Sequence, residues 1–117
     1  MFRQTLEKIL ERCDGAIGGV LMGFDGIAVE AVVREAGTDV KTISAEFSFV
    51  LGQVRKAAEI LEVGALNEVV IKSDNLVFLV RVLTDEYFVA IAMRPSGNFG
   101  KGRFLMRLAD PELRAQL

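Results

Sequence analysis

The sequence contains no histidine, and this absence removes most of the familiar catalytic machinery. Without an imidazole, the chain cannot form a Ser-His-Asp triad, a Cys-His dyad or a histidine-ligated metal site. It also has a single cysteine, Cys13, which excludes an internal disulfide and a zinc site built from several thiolates. We therefore expect no catalytic residue, no cofactor and no metal. The composition favours a binding protein.

Excess positive charge and long hydrophobic runs are missing as well. The chain has 14 Lys and Arg against 16 Asp and Glu, and the net charge of -2 argues against a nucleic-acid partner. Its longest uninterrupted apolar run covers residues 87–93, whereas a membrane-spanning helix needs about 20 residues. Because the first residues are charged where a signal peptide is apolar, we predict a cytoplasmic protein without membrane insertion.

The 117 residues, 51% of them hydrophobic, are enough for one core, and we expect a single domain over residues 1–117. Hydrophobic periodicity predicts helices at residues 2–14, from 38 or 39 to about 63, and at about 99–108, with a polar turn or tail from Asp110 and Pro111. Strands are predicted at residues 16–22, 27–33, 67–72, 76–83 and 87–93. The order α-β-β-α-β-β-β-α predicts an α/β sandwich with a mostly antiparallel sheet.

The third predicted strand differs from the two that follow it. In residues 67–72 the side chains of Glu68, Val70 and Lys72 share one face, while Val69 and Ile71 share the other. Such alternation is typical of an edge strand, whereas the nearly continuous apolar runs that follow favour central strands. We therefore predict an edge at Glu68, Val70 and Lys72 that pairs with a second copy of the chain.

The long helix has two apolar faces in the sequence. Seven residues fall on one predicted core-facing stripe: Val40, Ile43, Phe47, Leu51, Val54, Ala58 and Leu61. A second set clusters on the other side, where charge is expected: Ala45, Phe49, Gly52, Lys56, Glu59 and Ile60. Scattered surface apolar residues would also account for this second set. We favour a second packing face, used for self-association or for a partner.

Two motifs with a conceivable chemical role are better explained as structural features. Residues 97–102 carry glycines and Lys101, but they have neither the spacing nor the hydroxyl of a phosphate-binding loop. The carboxylate pairs Asp85/Glu86 and Asp110/Glu112 lie at predicted turns or helix starts, where acidic residues are common. Residues 94–107 hold four basic residues and no acidic one, which is consistent with a solvated helix face or with contact to an acidic partner or to membrane head groups.

Two segments resemble the roadblock/dynein-light-chain family. Residues 15–27, GAIGGVLMGFDGI, resemble the first hairpin of the family, and residues 87–100, with YFVAIAM and PSGNFG, resemble its last strand and the entry to its final helix. The resemblance implies a five-stranded sheet with the long helix on one face and the terminal helices on the other. It also implies homodimers in which edge strands and long helices pair.

For function, the resemblance to the prokaryotic, MglB-like single-domain members implies a regulator that binds a small Ras-like GTPase and, where it acts as MglB does, is GTPase-activating. The family has no shared catalytic residue, and neither Arg55 nor Arg81 is interpreted as an arginine finger. A non-catalytic scaffold in a motor, polarity or signalling complex is the alternative. A small-molecule sensor is disfavoured, because no polar cluster is predicted to point into the core.

Overall fold

A computed structural model describes residues 1–117. The three helices are α1 (Phe2–Glu11), α2 (Val40–Ile60) and α3 (Phe99–Gln116). The five strands are β1 (Ala16–Gly23), β2 (Ala28–Val33), β3 (Glu68–Lys72), β4 (Val77–Val82) and β5 (Tyr87–Met93). Their order along the chain is the predicted one. None of the three helices is both long and apolar enough to cross a bilayer.

The strands form one sheet in the order β2-β1-β5-β4-β3, and every neighbouring pair is antiparallel. Strands β3, β4 and β5 form a meander, because short polar turns join them. The predicted edge position of β3 is confirmed, and β5 lies at the centre of the sheet. The other edge, β2, carries a bulge opposite Leu21 and Met22. Its Ala31 carbonyl accepts a hydrogen bond from the Arg3 side chain at 3.3 Å.

The two faces of the sheet are covered differently. Helices α1 and α3 contact each other and share one face, where α1 packs on β1 and β2 while α3 packs on β4 and β5. The other face carries α2 alone, mainly over β1 and β2. A hydrophobic core therefore lies on each side of the sheet. This layering confirms the arrangement that the resemblance implied.

The first two helices end earlier than the sequence predicted. Helix α1 ends at Glu11 with Arg12 as its C-cap, rather than continuing to Asp14. Helix α2 begins after Asp39, whose carboxylate caps it by accepting from the Thr42 N–H at 3.1 Å. It ends at Ile60, because Glu62 already adopts a left-handed backbone with φ of 55°. The prediction that Gly64 would end this helix was therefore wrong.

Helix α3 continues beyond the predicted end near residue 108. It passes through Pro111 and reaches Gln116, so the predicted polar tail is wrong. Proline removes one backbone donor from a helix interior. Burial on both sides of the proline offsets this cost: Asp110 is held by two arginines, and Leu113 is fully buried against the sheet. Tertiary packing thus overrides a local helix-breaking signal.

The two glycines inside β1 make room for side chains rather than for a helix backbone. A Cβ at Gly18 would lie 3.2 Å from the Val40 side chain, and a Cβ at Gly19 would lie 3.4 Å from Leu10. Gly19 therefore faces the first helix as predicted, but Gly18 faces α2. Both positions let a helix pack close to β1.

Candidate protein-interaction surface

The predicted second face of α2 is exposed at its most apolar positions. Phe49 is 72% exposed and Ile60 is 80% exposed, and the charged Lys56 and Glu59 lie between them. An aromatic side chain with this exposure has no packing role within the chain. Four of the six predicted residues therefore share an outward surface, which we call the Phe49 surface.

The two small residues of this predicted face have different surroundings. Ala45 is half-buried and packs beside Gly26 in the turn between β1 and β2, so it belongs to the core margin. Gly52 lies beside the Phe49 surface, and a Cβ built there would meet no atom within 4 Å. Glycine in a helix interior costs about 1 kcal/mol relative to alanine. Nothing within the chain compensates for this cost at Gly52.

The predicted core-facing stripe of α2 is only partly buried. Val40 and Leu51 are buried, together with Ser44 and Ser48, which the hydrophobic pattern had not included. Val54 is 37% exposed and Leu61 is 69% exposed, so the prediction was wrong for these two residues. The buried face is rotated because α2 packs over β1 and β2 rather than over the centre of the sheet.

The exposed part of this stripe continues a regular apolar seam along one flank of α2. Its residues alternate spacings of four and three: Ile43, Phe47, Val50, Val54, Ala57 and Leu61. This is the a/d spacing by which two helices pair in a coiled coil. The sequence pattern had assigned four of these residues to the core, namely Ile43, Phe47, Val54 and Leu61, and it had assigned Val50 and Ala57 to neither face. We call this flank the α2 seam.

The α2 seam faces the half of the sheet that has no helix above it. Phe47 contacts Phe78 of β4, which fixes the direction of this flank. Beyond Phe78, Val69 and Ile71 of β3 point to the same face and are only half-buried. The α2 seam and these two residues of β3 therefore border one apolar surface, and no other helix of the chain covers it.

The side chains predicted at the dimer edge point to the other face of β3. Glu68, Val70 and Lys72 pair with Arg81, Leu79 and Val77, so they lie on the α3 side. The Glu68 carboxylate lies 3.3 Å from Arg103, and the Lys72 ammonium lies 4.0 Å from the Phe99 ring centroid. Both charges therefore have partners within the chain. The backbone of β3 still has only one neighbouring strand.

Arg55 and Arg81 both have partners within the chain. The Arg55 guanidinium lies 4.1 Å from the Phe24 ring centroid and donates to the Asp85 carbonyl. Arg81 Nε donates to Asp110 Oδ2 at 2.5 Å. Burial alone would raise the pKa of Asp110, but hydrogen bonds from Arg114 and Arg81 outweigh it and hold the pKa below its usual value. This buried cluster joins β4 to α3, and sequence reasoning missed it.

The glycine-rich segment before α3 is a packing and capping element. Asn98 caps the helix by accepting from the Lys101 N–H at 3.0 Å. A Cβ at Gly15, whose φ is +89°, would lie 2.6 Å from Gly97 Cα, so the two backbones touch. These contacts agree with the structural interpretation of the segment. No three carboxylate or thiol groups converge in a way that could hold a metal ion.

The chain resembles solved structures over almost its whole length. MglC from Myxococcus xanthus is 36% identical, with a TM-score of 0.73, over 99% of this chain and 98% of that one. Two others are more distant in sequence. The gliding protein MglB from Thermus thermophilus is 14% identical with a TM-score of 0.84, over 97% of this chain and 85% of its own. A Roadblock/LC7 domain from Streptomyces avermitilis is 16% identical with a TM-score of 0.75, over 94% and 95%.

No family model and no curated protein matches the chain. The likeness to MglC nevertheless extends over nearly all of both chains at an identity that indicates a relative. The five-stranded sheet and the helix layers are those that the resemblance of residues 15–27 and 87–100 implied. The chain belongs to the roadblock/LC7 family.

Proposed function

We propose that the protein is a cytoplasmic, single-domain homodimeric adaptor that binds and regulates a small Ras-like GTPase. In this dimer the two β3 edges pair and the two α2 helices lie side by side. The half-covered face of the sheet is the observation that carries the proposal. The α2 seam and the half-buried Val69 and Ile71 together form an apolar surface, and in the proposed dimer the α2 of the second copy covers it.

The geometry of the edge strand supports this pairing. Because β3 has a neighbour on one side only, its outer backbone donors and acceptors are free to bond to a second β3. Its charged side chains are held on the α3 side by Arg81, Arg103 and Phe99, so they do not obstruct a helix on the α2 side. Edge and seam lie next to each other, so in the proposed dimer we expect one two-fold axis to pair both with their counterparts.

The Phe49 surface is the part of α2 that remains open in this dimer. We assign it to the GTPase, together with the equivalent surface of the second copy. An exposed aromatic residue beside an unhindered glycine has the composition of a binding hot spot. We expect the protein to act on the nucleotide only through its partner's own active site, since Arg55 and Arg81 are both occupied within the chain.

Sedimentation equilibrium and a GTPase assay test the proposal in two steps. The first should give twice the chain mass of 12.8 kDa, and a monomer at all concentrations would disprove the dimer. The second uses the Ras-like GTPase encoded nearest to this protein, loaded with GDP or with a non-hydrolysable GTP analogue. Binding with faster hydrolysis supports a GTPase activator. Binding with unchanged hydrolysis supports an adaptor that binds the GTPase without activating it. No binding contradicts the proposal and favours the alternative, a non-catalytic scaffold in a motor, polarity or signalling complex.

A further inference from the structure

Helices α1 and α3 leave a groove between them on the face of the sheet opposite α2. The groove has a volume of about 150 Å³. Its floor is apolar, because the buried Ile9, Leu105 and Ala109 line it. Leu108, which is 57% exposed, forms part of its rim. The groove is therefore an apolar slot with one aliphatic side chain presented to solvent.

The rim of this groove carries unpaired positive charge. Lys8 and Arg12 line it and are exposed, and neither forms a salt bridge, since the salt bridges of α1 and α3 use Arg3, Arg103 and Arg114. Lys101 lies one helical turn before Leu105 on the same side of α3 and is also unpaired.

One acidic residue, Glu112, lines the groove, and it already accepts a hydrogen bond from Thr5 at 3.3 Å. Helices α1 and α3 run antiparallel, because Thr5 meets Glu112 at one end while Cys13 meets the Asn98 carbonyl at the other. The cations Arg12 and Lys101 therefore lie near one end of the groove and Glu112 lies near the other. Asp14 also lies near the basic end, beside Cys13, but no carboxylate forms a salt bridge with Arg12 or Lys101.

We propose that the α1/α3 groove docks an acidic amphipathic segment of a partner protein. The apolar floor takes aliphatic side chains of that segment, and Lys8, Arg12 and Lys101 pair with its carboxylates. The concave shape favours an inserted side chain over the flat surface of a membrane. Because the groove lies on the face opposite the α2 seam, the docking is independent of the proposed dimer and of the GTPase surface.

A designed peptide tests this proposal directly. The probe is a fluorescent helical peptide with leucines at every third or fourth residue and glutamates on both sides of the leucine stripe. Two control peptides replace every glutamate by lysine, or every leucine by glutamine. We expect saturable binding of the first peptide alone, measured by fluorescence anisotropy, and weaker binding at higher salt. Equal binding of the three peptides, or no binding of any, overturns the proposal.

Matched variants locate the binding on the protein. Arg12→Glu and Leu108→Ser should each weaken binding of the acidic peptide by about tenfold or more, because both residues line the groove. Arg34→Glu makes the same charge change at an exposed site outside the groove and should leave binding unchanged. All three side chains are exposed, so circular dichroism should show the wild-type fold. Peptide binding that is unaffected by Arg12→Glu and Leu108→Ser contradicts the assignment.

Two further measurements separate this proposal from its competitors. Vesicles containing phosphatidylserine should not bind, and vesicle binding without peptide binding overturns the proposal in favour of a lipid surface. The variant Val54→Asp, made to disrupt the dimer, should bind the acidic peptide as wild type does. Loss of peptide binding in that variant would contradict the proposal that the groove of a single chain is sufficient for binding.

Discussion

The rings of Phe47 and Phe78 lie with their centroids 4.8 Å apart, and this contact sets the rotation of α2 on the sheet. It places the flank of α2 that carries Phe47 toward β4. Residues at intervals of seven, Val54 and Leu61, must then point the same way, because seven residues complete almost two helical turns. They extend over a part of the face that no helix of the same chain covers.

The first prediction concerns the α2 seam. Val54→Asp should convert the proposed dimer into a monomer, because an unpaired carboxylate buried between two helices would cost several kcal/mol. Gln53→Asp is the control, since it introduces the same carboxylate at the neighbouring exposed position. Sedimentation equilibrium of the two variants at equal concentration measures the difference. A dimeric Val54→Asp would place the pairing surface elsewhere.

The second prediction concerns Phe49. Phe49→Arg should keep the fold, because Phe49 is 72% exposed, and it should weaken binding of the GTPase by about 2 kcal/mol or more. Phe104→Arg, an exposed phenylalanine on α3, is the control and should bind as wild type does. A pull-down with the GTPase measures binding, and sedimentation reports the dimer separately. If Phe49→Arg binds normally, the GTPase surface must include other residues.

The third prediction concerns Gly52. Gly52→Ala should raise the free energy of unfolding by about 1 kcal/mol, since alanine is the better helix former and nothing lies within 4 Å of the added Cβ. Gly52→Leu should keep the fold but weaken binding of whatever approaches this position closely. Urea unfolding measures the first effect, and the GTPase pull-down measures the second. Unchanged binding by Gly52→Leu would mean that no partner approaches Gly52.

The fourth prediction concerns the acid stability that Asp110 provides. Its pKa is lowered in the folded chain, so its contribution is complete above the unfolded value of about 3.9 and is lost as the pH falls through the folded value. Asp110→Asn should therefore lower the free energy of unfolding at neutral pH by about 1–3 kcal/mol, and the deficit should shrink toward pH 2. Asp74→Asn, in an exposed turn, is the control. Urea unfolding at fixed protein concentration measures both variants, and a deficit that does not change with pH contradicts the assignment.

The fifth prediction concerns Pro111. Pro111→Ala should stabilise the protein by about 1–2 kcal/mol, because it restores a backbone N–H donor within α3. The replacement also makes the unfolded chain more flexible, and this entropy offsets only part of the gain. Pro95→Ala, in the loop before α3, should have a smaller effect. Thermal unfolding measures both variants. If Pro111→Ala instead lowers the free energy of unfolding, the proline stabilises the fold by more than the lost hydrogen bond costs.

Local patterns in the sequence were sufficient for the order of the elements and for the edge position of β3, because alternation and turn residues are local properties. Local patterns gave wrong predictions where contacts between distant residues determine the end or the orientation of a helix. The end of α3 depends on Asp110 meeting Arg81, which is 29 residues away in the chain. The rotation of α2 depends on Phe78. The sequence pattern showed that α2 has excess apolar surface, but it could not show which flank faces the open half of the sheet.

The difference between the two edges of the sheet bears on how many copies can assemble. If β3 pairs with β3 around a two-fold axis, both outer ends of the enlarged sheet are β2 strands. Those strands carry a bulge and the Arg3 side chain bonded to the Ala31 carbonyl, and these features oppose the addition of another strand. Under this pairing a third copy finds no free β3 and no regular edge, so growth by strand addition would stop at the closed pair.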